Sequence, residues 1–221
     1  MTRINIAIDG PAGAGKSTVA KAISKELGII YLDTGAMYRT VALKAILSGI
    51  DTKDESGLVA LVKDIDIRIE YQGSDQRIYL DGKDVSGDIR TAEVSIGASN
   101  VAVIPAVRLK LVELQRQIAA NNDVVMDGRD IGTYVLPNAS YKFFLTASLD
   151  ERAKRRFDEM MEKGMPASSF DDVRNDIAYR DKNDSTRAFA PLSRAQDALE
   201  IDTTHLNPIQ VVETILTYIK K

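Results

Sequence analysis

The stretch Gly10-Pro11-Ala12-Gly13-Ala14-Gly15-Lys16-Ser17 constrains this chain more than any other. It fits the pattern G-x-x-x-x-G-K-[ST], in which glycines let the backbone turn tightly so that several N–H groups face one anion. The residues before it, Arg3 to Asp9, alternate Ile4, Ile6 and Ile8 with smaller residues, as a buried strand does. The residues after it, Lys16 to Leu27, set Val19, Ile23 and Leu27 four apart, a helical face stopped by Gly28. A strand–loop–helix unit of this kind aims a helix N-terminus at the anion. Lys16 is then placed to reach the β- and γ-phosphates of a nucleoside triphosphate, and the Ser17 hydroxyl to join a Mg2+ shell.

The pattern of strand then helix continues along the chain. Ile29–Leu32, Val124–Met126, Tyr141–Thr146 and Ala198–Ile201 read as further apolar strands, and Met37–Leu47 as a helix. Asn207-Pro208 opens the last helix with a capping residue and an N1 proline. This alternation predicts an α/β fold, a parallel sheet flanked by helices. One region departs from it. From Ile65 to Arg90 the period is two, with turn chemistry at Gly73-Ser74-Asp75 and at Asp81-Gly82-Lys83, which predicts a small antiparallel insert. Asp150–Arg187 carries nine Lys or Arg and ten Asp or Glu in 38 positions, too polar for central core. Ser148 and Glu151 are spaced as a capping box for its first helix.

Composition removes several chemistries. With no cysteine and one histidine, His205, the chain has no thiolate nucleophile, no His-based metal cluster and poor material for a Ser-His-Asp triad. A formal charge of −3 gives no sign of nucleic-acid or membrane binding, and no apolar run approaches the length of a membrane span. A soluble, cytoplasmic protein is expected, working with carboxylates, guanidinium groups, lysines and backbone amides.

Three further clusters fall where an open parallel sheet holds its ligands, just beyond the C-terminal ends of strands. Asp33-Thr34-Gly35-Ala36-Met37-Tyr38-Arg39 follows the second strand, and Arg39 suits a second phosphate group. Asp127-Gly128-Arg129-Asp130 follows Val124–Met126; Asp127 has the position of a Walker-B aspartate, Arg129 could hold a phosphate and Asp130 could accept from an exocyclic amine. Arg180, Asp184 and Arg187 are spaced four and three apart, so on a helix they share one face, as in a charge-neutralising lid. Ordinary structural salt bridges would account for each cluster taken singly. No Asn-Lys-x-Asp guanine reader is present, which argues against a switch GTPase.

With these residues in view, the chain resembles the bacterial cytidylate kinases, of the nucleoside monophosphate kinase group. The marks are DGPAGAGKS at Asp9–Ser17, LDTGAMYR at Leu32–Arg39, DVSGDIRT at Asp84–Thr91, DGRDIGT at Asp127–Thr133 and RDKNDSTRAFAPL at Arg180–Leu192. The resemblance implies a core around a five-stranded parallel sheet (1–32, 92–150 and 188–221), an acceptor-binding region (33–91) holding the β insert (65–91), and a lid (151–187). It implies ATP contacts from Gly10 to Thr18 and from Arg152 and Arg156, with the choice between Arg155 and Arg156 open. Ser99, Arg108 and Asp130 would read the cytosine edge; Arg39 and Arg129, with Asp33 and Thr34 nearby, the acceptor phosphate. Arg180 and Asp184 would meet the pentose, and Arg187 the transferring phosphate. The expected reaction is Mg-ATP with CMP or dCMP, carried out by a monomer without a covalent intermediate. The alternatives are a kinase of another small acceptor, such as UMP, and a nucleotide-binding regulator.

Overall fold

A computed structural model describes residues 3–72, 75–164 and 169–220. Strand β1 (Asn5–Asp9) runs into the glycine loop and helix α1 (Lys16–Leu27) leaves it, as the pattern predicts. Gly10 has φ +147°, and a Cβ there would lie 2.0 Å from the Leu145 carbonyl oxygen, so only glycine passes at this point. Strands β2 (Ile30–Asp33), β6 (Val124–Gly128), β7 (Tyr141–Thr146) and β8 (Leu199–Asp202) join β1 in one parallel sheet, ordered β2-β6-β1-β7-β8. β6 outruns the predicted strand by two residues because Asp127 and Gly128 stay in register with Ile8 and Asp9. Asp127 therefore sits on the strand end rather than in a loop.

The two faces of the sheet follow the alternation of its side chains. Ile6, Ile8 and Val125 pack with Val19 and Ile23 of α1 and with Val211 and Ile215 of α8 (Pro208–Ile219). Ala7, Val124 and Met126 face the opposite layer, where α2 (Thr34–Leu47) contributes Met37 and Val41, and α5 (Pro105–Asn121) contributes Val107 and Leu111. α2 begins three residues before the expected Met37, because the Asp33 carboxylate caps it, accepting from the Ala36 N–H at 2.8 Å. At α8 the cap is fuller than predicted: Asn207 and Gln210 bond reciprocally.

Helix α3 (Glu55–Asp64) leads into the insert, a three-stranded antiparallel sheet of β3 (Ile67–Gln72), β4 (Asp75–Leu80) and β5 (Lys83–Asp84). Ile67 lies opposite Leu80 and Ile69 opposite Ile78, as the period of two requires. Asp81 and Gly82 form the β4–β5 turn, at φ 49° and 83°. The predicted turn at Gly73-Ser74 lies outside the described residues. A short 3-10 turn (Asp88–Arg90) and helix α4 (Ala92–Val101) return the chain to the core.

Helices α6 (Leu149–Glu162) and α7 (Phe170–Thr186) pair around a small cluster of their own, Ala153, Met160, Val173 and Ile177, which reaches Ala12 of the glycine loop. The capping box expected at Ser148 is half made. Its hydroxyl accepts from the Glu151 N–H at 3.3 Å, while the Glu151 carboxylate accepts from Arg155 Nε at 2.9 Å instead. No single helix among the described residues is long and apolar enough to cross a membrane.

Candidate active site

Asp9 and Asp33 end β1 and β2, Asp127 is the last residue but one of β6 beside them, and all three carboxylates are buried. Beside them Lys16 folds back over the glycine loop and donates from Nζ to the Pro11 carbonyl at 2.7 Å. Ser17 donates its hydroxyl to Asp127 Oδ2 at 2.7 Å, and the Tyr31 hydroxyl donates to Asp127 Oδ1 at 2.8 Å. Thr34 donates to the Asp127 carbonyl at 2.7 Å. Burial, with the Asp33 charge nearby, raises the Asp127 carboxyl above its ordinary pKa.

A cleft of about 170 Å³ opens between this strand end, α4, α5 and the last turns of α7. Its charged lining comprises Lys16, Arg39, Arg108, Arg129, Arg180 and Arg187 against Asp33, Asp127, Asp130 and Asp184, six cations to four carboxylates. Arg39 donates to Asp33 at 2.8 Å, and its buried Nε has no partner among the described residues. Arg129 Nε donates to Asp184 at 2.6 Å. Asp130 is gripped from both sides, by Arg108 on Oδ2 and by Arg187 Nη2 on Oδ1 at 3.0 Å. The Ser99 hydroxyl accepts from Asn183 at 3.3 Å.

Lys16 and Arg180 have no carboxylate within ion-pairing distance among the described residues, and both are destabilised as cations. Burial, and then repulsion from Arg129, lower Lys16 to about 7 and Arg180 to about 10. The cleft therefore holds surplus positive charge that a polyanion would neutralise. Asp184 is pushed the other way. Burial would raise it, but Arg129 and Arg187 hold its carboxyl below the usual range.

Arg108 is completely buried, with its guanidinium between the rings of Tyr38 and Phe189, at 5.7 and 5.8 Å from their centroids. Both aromatic residues fall within the sequence marks, but nothing in their spacing shows that they flank one arginine. Asp9 was also missed. Its two oxygens accept from the N–H groups of Ile131 and Gly132 at 2.8 and 2.7 Å, tying the turn after Asp130 to β1. That turn is a π-type turn (Ile131–Val135), a geometry often found beside functional residues. Burial pushes the Asp9 carboxyl up to about 7 despite those two bonds.

Four arginines of the segment 150–187 differ in what they hold. Arg187 caps the C-terminus of α7, its N–H bonded to the Asn183 carbonyl, and lines the cleft with Arg180 and Asp184 as their spacing predicts; its side chain lies 3.7 Å from Asp184 and donates to Asp130 at 3.0 Å. Arg152 is buried and donates to the Ala12 carbonyl at 2.8 Å and to Asp181 at 2.6 Å, and Asp181 accepts from the Ala12 N–H at 3.3 Å. Arg156 pairs with Glu159 on its own helix at 2.9 Å and does not line the cleft. Arg155 holds the Thr203 carbonyl at 2.6 Å. Thr18, one residue into α1 beyond Ser17, is exposed.

A parallel five-stranded sheet whose central strand feeds a glycine loop and helix, with a cation-lined cleft at the strand ends, defines a P-loop kinase fold. Solved structures of shikimate kinase from Bacteroides thetaiotaomicron and of a gluconokinase from Sinorhizobium meliloti 1021 share it. Their TM-scores are 0.51 and 0.52 at 12% identity, covering 99% and 98% of this chain and 99% and 91% of theirs. The sequence goes further than the fold. Cytidylate kinase from Halalkalibacterium halodurans is 48% identical over 221 residues, 100% of this chain and 99% of that protein. Cytidylate kinase from Caldicellulosiruptor bescii is 49% identical over 216 residues, 98% of this chain and 95% of that protein. The sequence pattern of the cytidylate kinase family matches residues 6–221, and the chain belongs to that family.

Proposed function

We propose that this chain transfers the γ-phosphoryl group of Mg-ATP to the 5′-phosphate of CMP or dCMP. An oxygen of the acceptor phosphate forms the new P–O bond as the bond to the β-phosphate bridging oxygen breaks, and ADP leaves with that electron pair. The observation that carries the reading is the cleft's surplus of cations, crowded until Lys16 and Arg180 lose basicity, in a member of the cytidylate kinase family.

Two anionic nucleotides repel at the distance a transfer requires, on the order of 4 kcal/mol per unit-charge pair at about 4 Å and an effective dielectric of about 20. Lys16 and the loop amides Gly13 to Ser17 would hold the donor phosphates. Arg39 and Arg129 would hold the acceptor phosphate, and Arg187 the group in flight. Positioning and charge neutralisation are most of what phosphoryl transfer needs, so no protein nucleophile or general base is invoked. Ser99, Arg108 and Asp130 would read the pyrimidine edge; Arg180 and Asp184 would take the pentose hydroxyls. Arg187 and Arg108 already occupy Asp130, so an incoming exocyclic amine would share that carboxylate rather than find it free.

The Ser17 hydroxyl and Asp127 carboxylate form a pair of hard oxygen donors 2.7 Å apart beside the loop, a set that suits Mg2+. Ser17 would ligate the ion directly and Asp127 through water; the ion would supply charge neutralisation on the phosphates. The chain divides functionally into a core (1–32, 92–150, 188–221), an acceptor region (33–91) and a lid (151–187). Closure of that lid would exclude water and suppress hydrolysis of ATP. The chain would act as a monomer. A coupled ADP-release assay across CMP, dCMP, UMP, AMP, GMP and shikimate tests the reading. CMP and dCMP should be strongly preferred; preference for any other acceptor would overturn the base assignment.

A further inference from the structure

β2 is an edge strand of the main sheet, so its outer backbone groups need a partner other than a neighbouring strand. The insert does not extend the sheet there, yet it supplies one contact. Gln76 of β4 accepts from the Asp33 N–H through its side-chain oxygen at 2.7 Å. A second arm of the same segment reaches the same residue: Arg90 Nη1 lies 3.8 Å from Asp33 Oδ2. That oxygen is also the one that Arg39 grips at 2.8 Å. Asp33 is thus held by its N–H from Gln76, by Oδ1 from the α2 cap at Ala36, and by Oδ2 between two arginines.

The lack of a side chain at Gly35 leaves room for this arrangement; a Cβ there would stand 3.1 Å from Arg39 Nη1 and 3.2 Å from Asp33 Oδ1. With no side chain at Gly35 to displace it, the Arg39 guanidinium takes its direction from where Asp33 is pinned. Between Gln76, Arg90 and Asp33 the insert leaves a cavity of about 260 Å³, so these two side chains bridge a gap rather than belong to a packed seam.

We propose that Gln76 and Arg90 are positioning residues for the acceptor phosphate, acting through Asp33 on Arg39. Gln76 fixes the main chain that carries the carboxylate. Arg90 shares the carboxylate's charge, so that Arg39 is oriented by Asp33 but not fully neutralised by it. This inference rests on the reading of Arg39 as a phosphate-binding residue.

The test measures KM and kcat for CMP and for ATP in Gln76→Met, Arg90→Ala and Arg39→Ala, and in the double variants Gln76→Met/Arg39→Ala and Arg90→Ala/Arg39→Ala. Gln76→Met keeps the volume and removes the acceptor oxygen. Arg90 is more than half exposed, so its truncation leaves the fold intact even if the first variant does not. Each single variant at 76 or 90 should raise the CMP KM about five- to twenty-fold, with the ATP KM within two-fold. In the Arg39→Ala background each should add less than two-fold. Equal loss for both substrates, or full additivity with Arg39→Ala, would reduce the pair to general scaffolding and overturn the inference. An unchanged CMP KM in Arg39→Ala would instead remove the reading of Arg39 beneath it, whatever the other two show.

Discussion

Lys16 offers the sharpest test of the charge argument, because the free protein keeps it poised near neutrality. Its pKa is lowered from 10.5 to about 7, by burial first and by Arg129 second. At about pH 8 roughly one Lys16 in ten then carries its proton. A triphosphate drawn onto the loop places several negative charges beside the amine and restores its basicity. Binding ATP should therefore take up about 0.9 proton at about pH 8 and far less at about pH 6, where the amine is already charged. Isothermal titration in buffers of different ionisation enthalpy, with chelator present to exclude metal effects, counts that proton directly. Lys16→Met should abolish both the uptake and turnover.

The same variant makes an opposite prediction for stability. The folded pKa lies below the unfolded one, so charging Lys16 opposes folding at pH below about 7, and the penalty fades as pH rises toward 10.5. The shift corresponds to at most about 5 kcal/mol, at about 1.4 kcal/mol per unit. Against it stands the lost bond to the Pro11 carbonyl, worth about 1 kcal/mol. Unliganded Lys16→Met should thus be the more stable protein by about 1–4 kcal/mol near pH 6, with the gain shrinking toward pH 10. Equal proton uptake by wild type and variant at pH 8, or a variant less stable at every pH, would refute the reasoning.

Three other outcomes are expected. Arg39→Ala should weaken acceptor binding by about 1.5–3 kcal/mol, the usual range for a charge-assisted hydrogen bond; acceptor KM and kcat report it. Asp184→Ala should raise the acceptor KM more than the ATP KM, and equal effects would place Asp184 in the scaffold of α7 rather than at the sugar. Asp9 has its folded pKa raised from 3.8 to about 7, so its contribution to stability is present below about pH 4 and is lost as pH rises through 7. The Tm of Asp9→Asn relative to wild type should therefore climb between about pH 4 and 7 and level off above, whereas parallel Tm curves would contradict the burial of that carboxyl.

Much of the fold was legible because its determinants are local. The glycine loop requires the backbone freedom of Gly10, β1 alternates Ile6 and Ile8 with Ala7, and the insert's period of two pairs Ile67 with Leu80. Boundaries slipped where a side chain or a neighbouring strand decided them. The Asp33 cap advanced α2, and register with β1 carried β6 on to Gly128. Of the site, residue spacing placed Asp33, Asp127 and Asp130 just at or past strand ends and Arg39 about one turn into the next helix, since a parallel sheet gathers its strand ends in one crevice.

How those residues pair could not be read from the chain, because it depends on positions far apart. Arg187 reaches Asp130 across 57 residues, Arg129 reaches Asp184 across 55, and Gln76 reaches Asp33 across 43. The spacing of Arg180, Asp184 and Arg187 does bring all three to the cleft, but it does not show that Arg187 crosses to Asp130 of another element. Sequence alone determined the phosphate cradle and the residue types around it, since short-range sterics and periodicity act between neighbours. Only the packing of α4, α5 and α7 over the strand ends decided which cations share a carboxylate and which, like Lys16 and Arg180, are left with excess charge. Burial and Coulomb repulsion depend on distance through space, and the folded chain alone sets that distance.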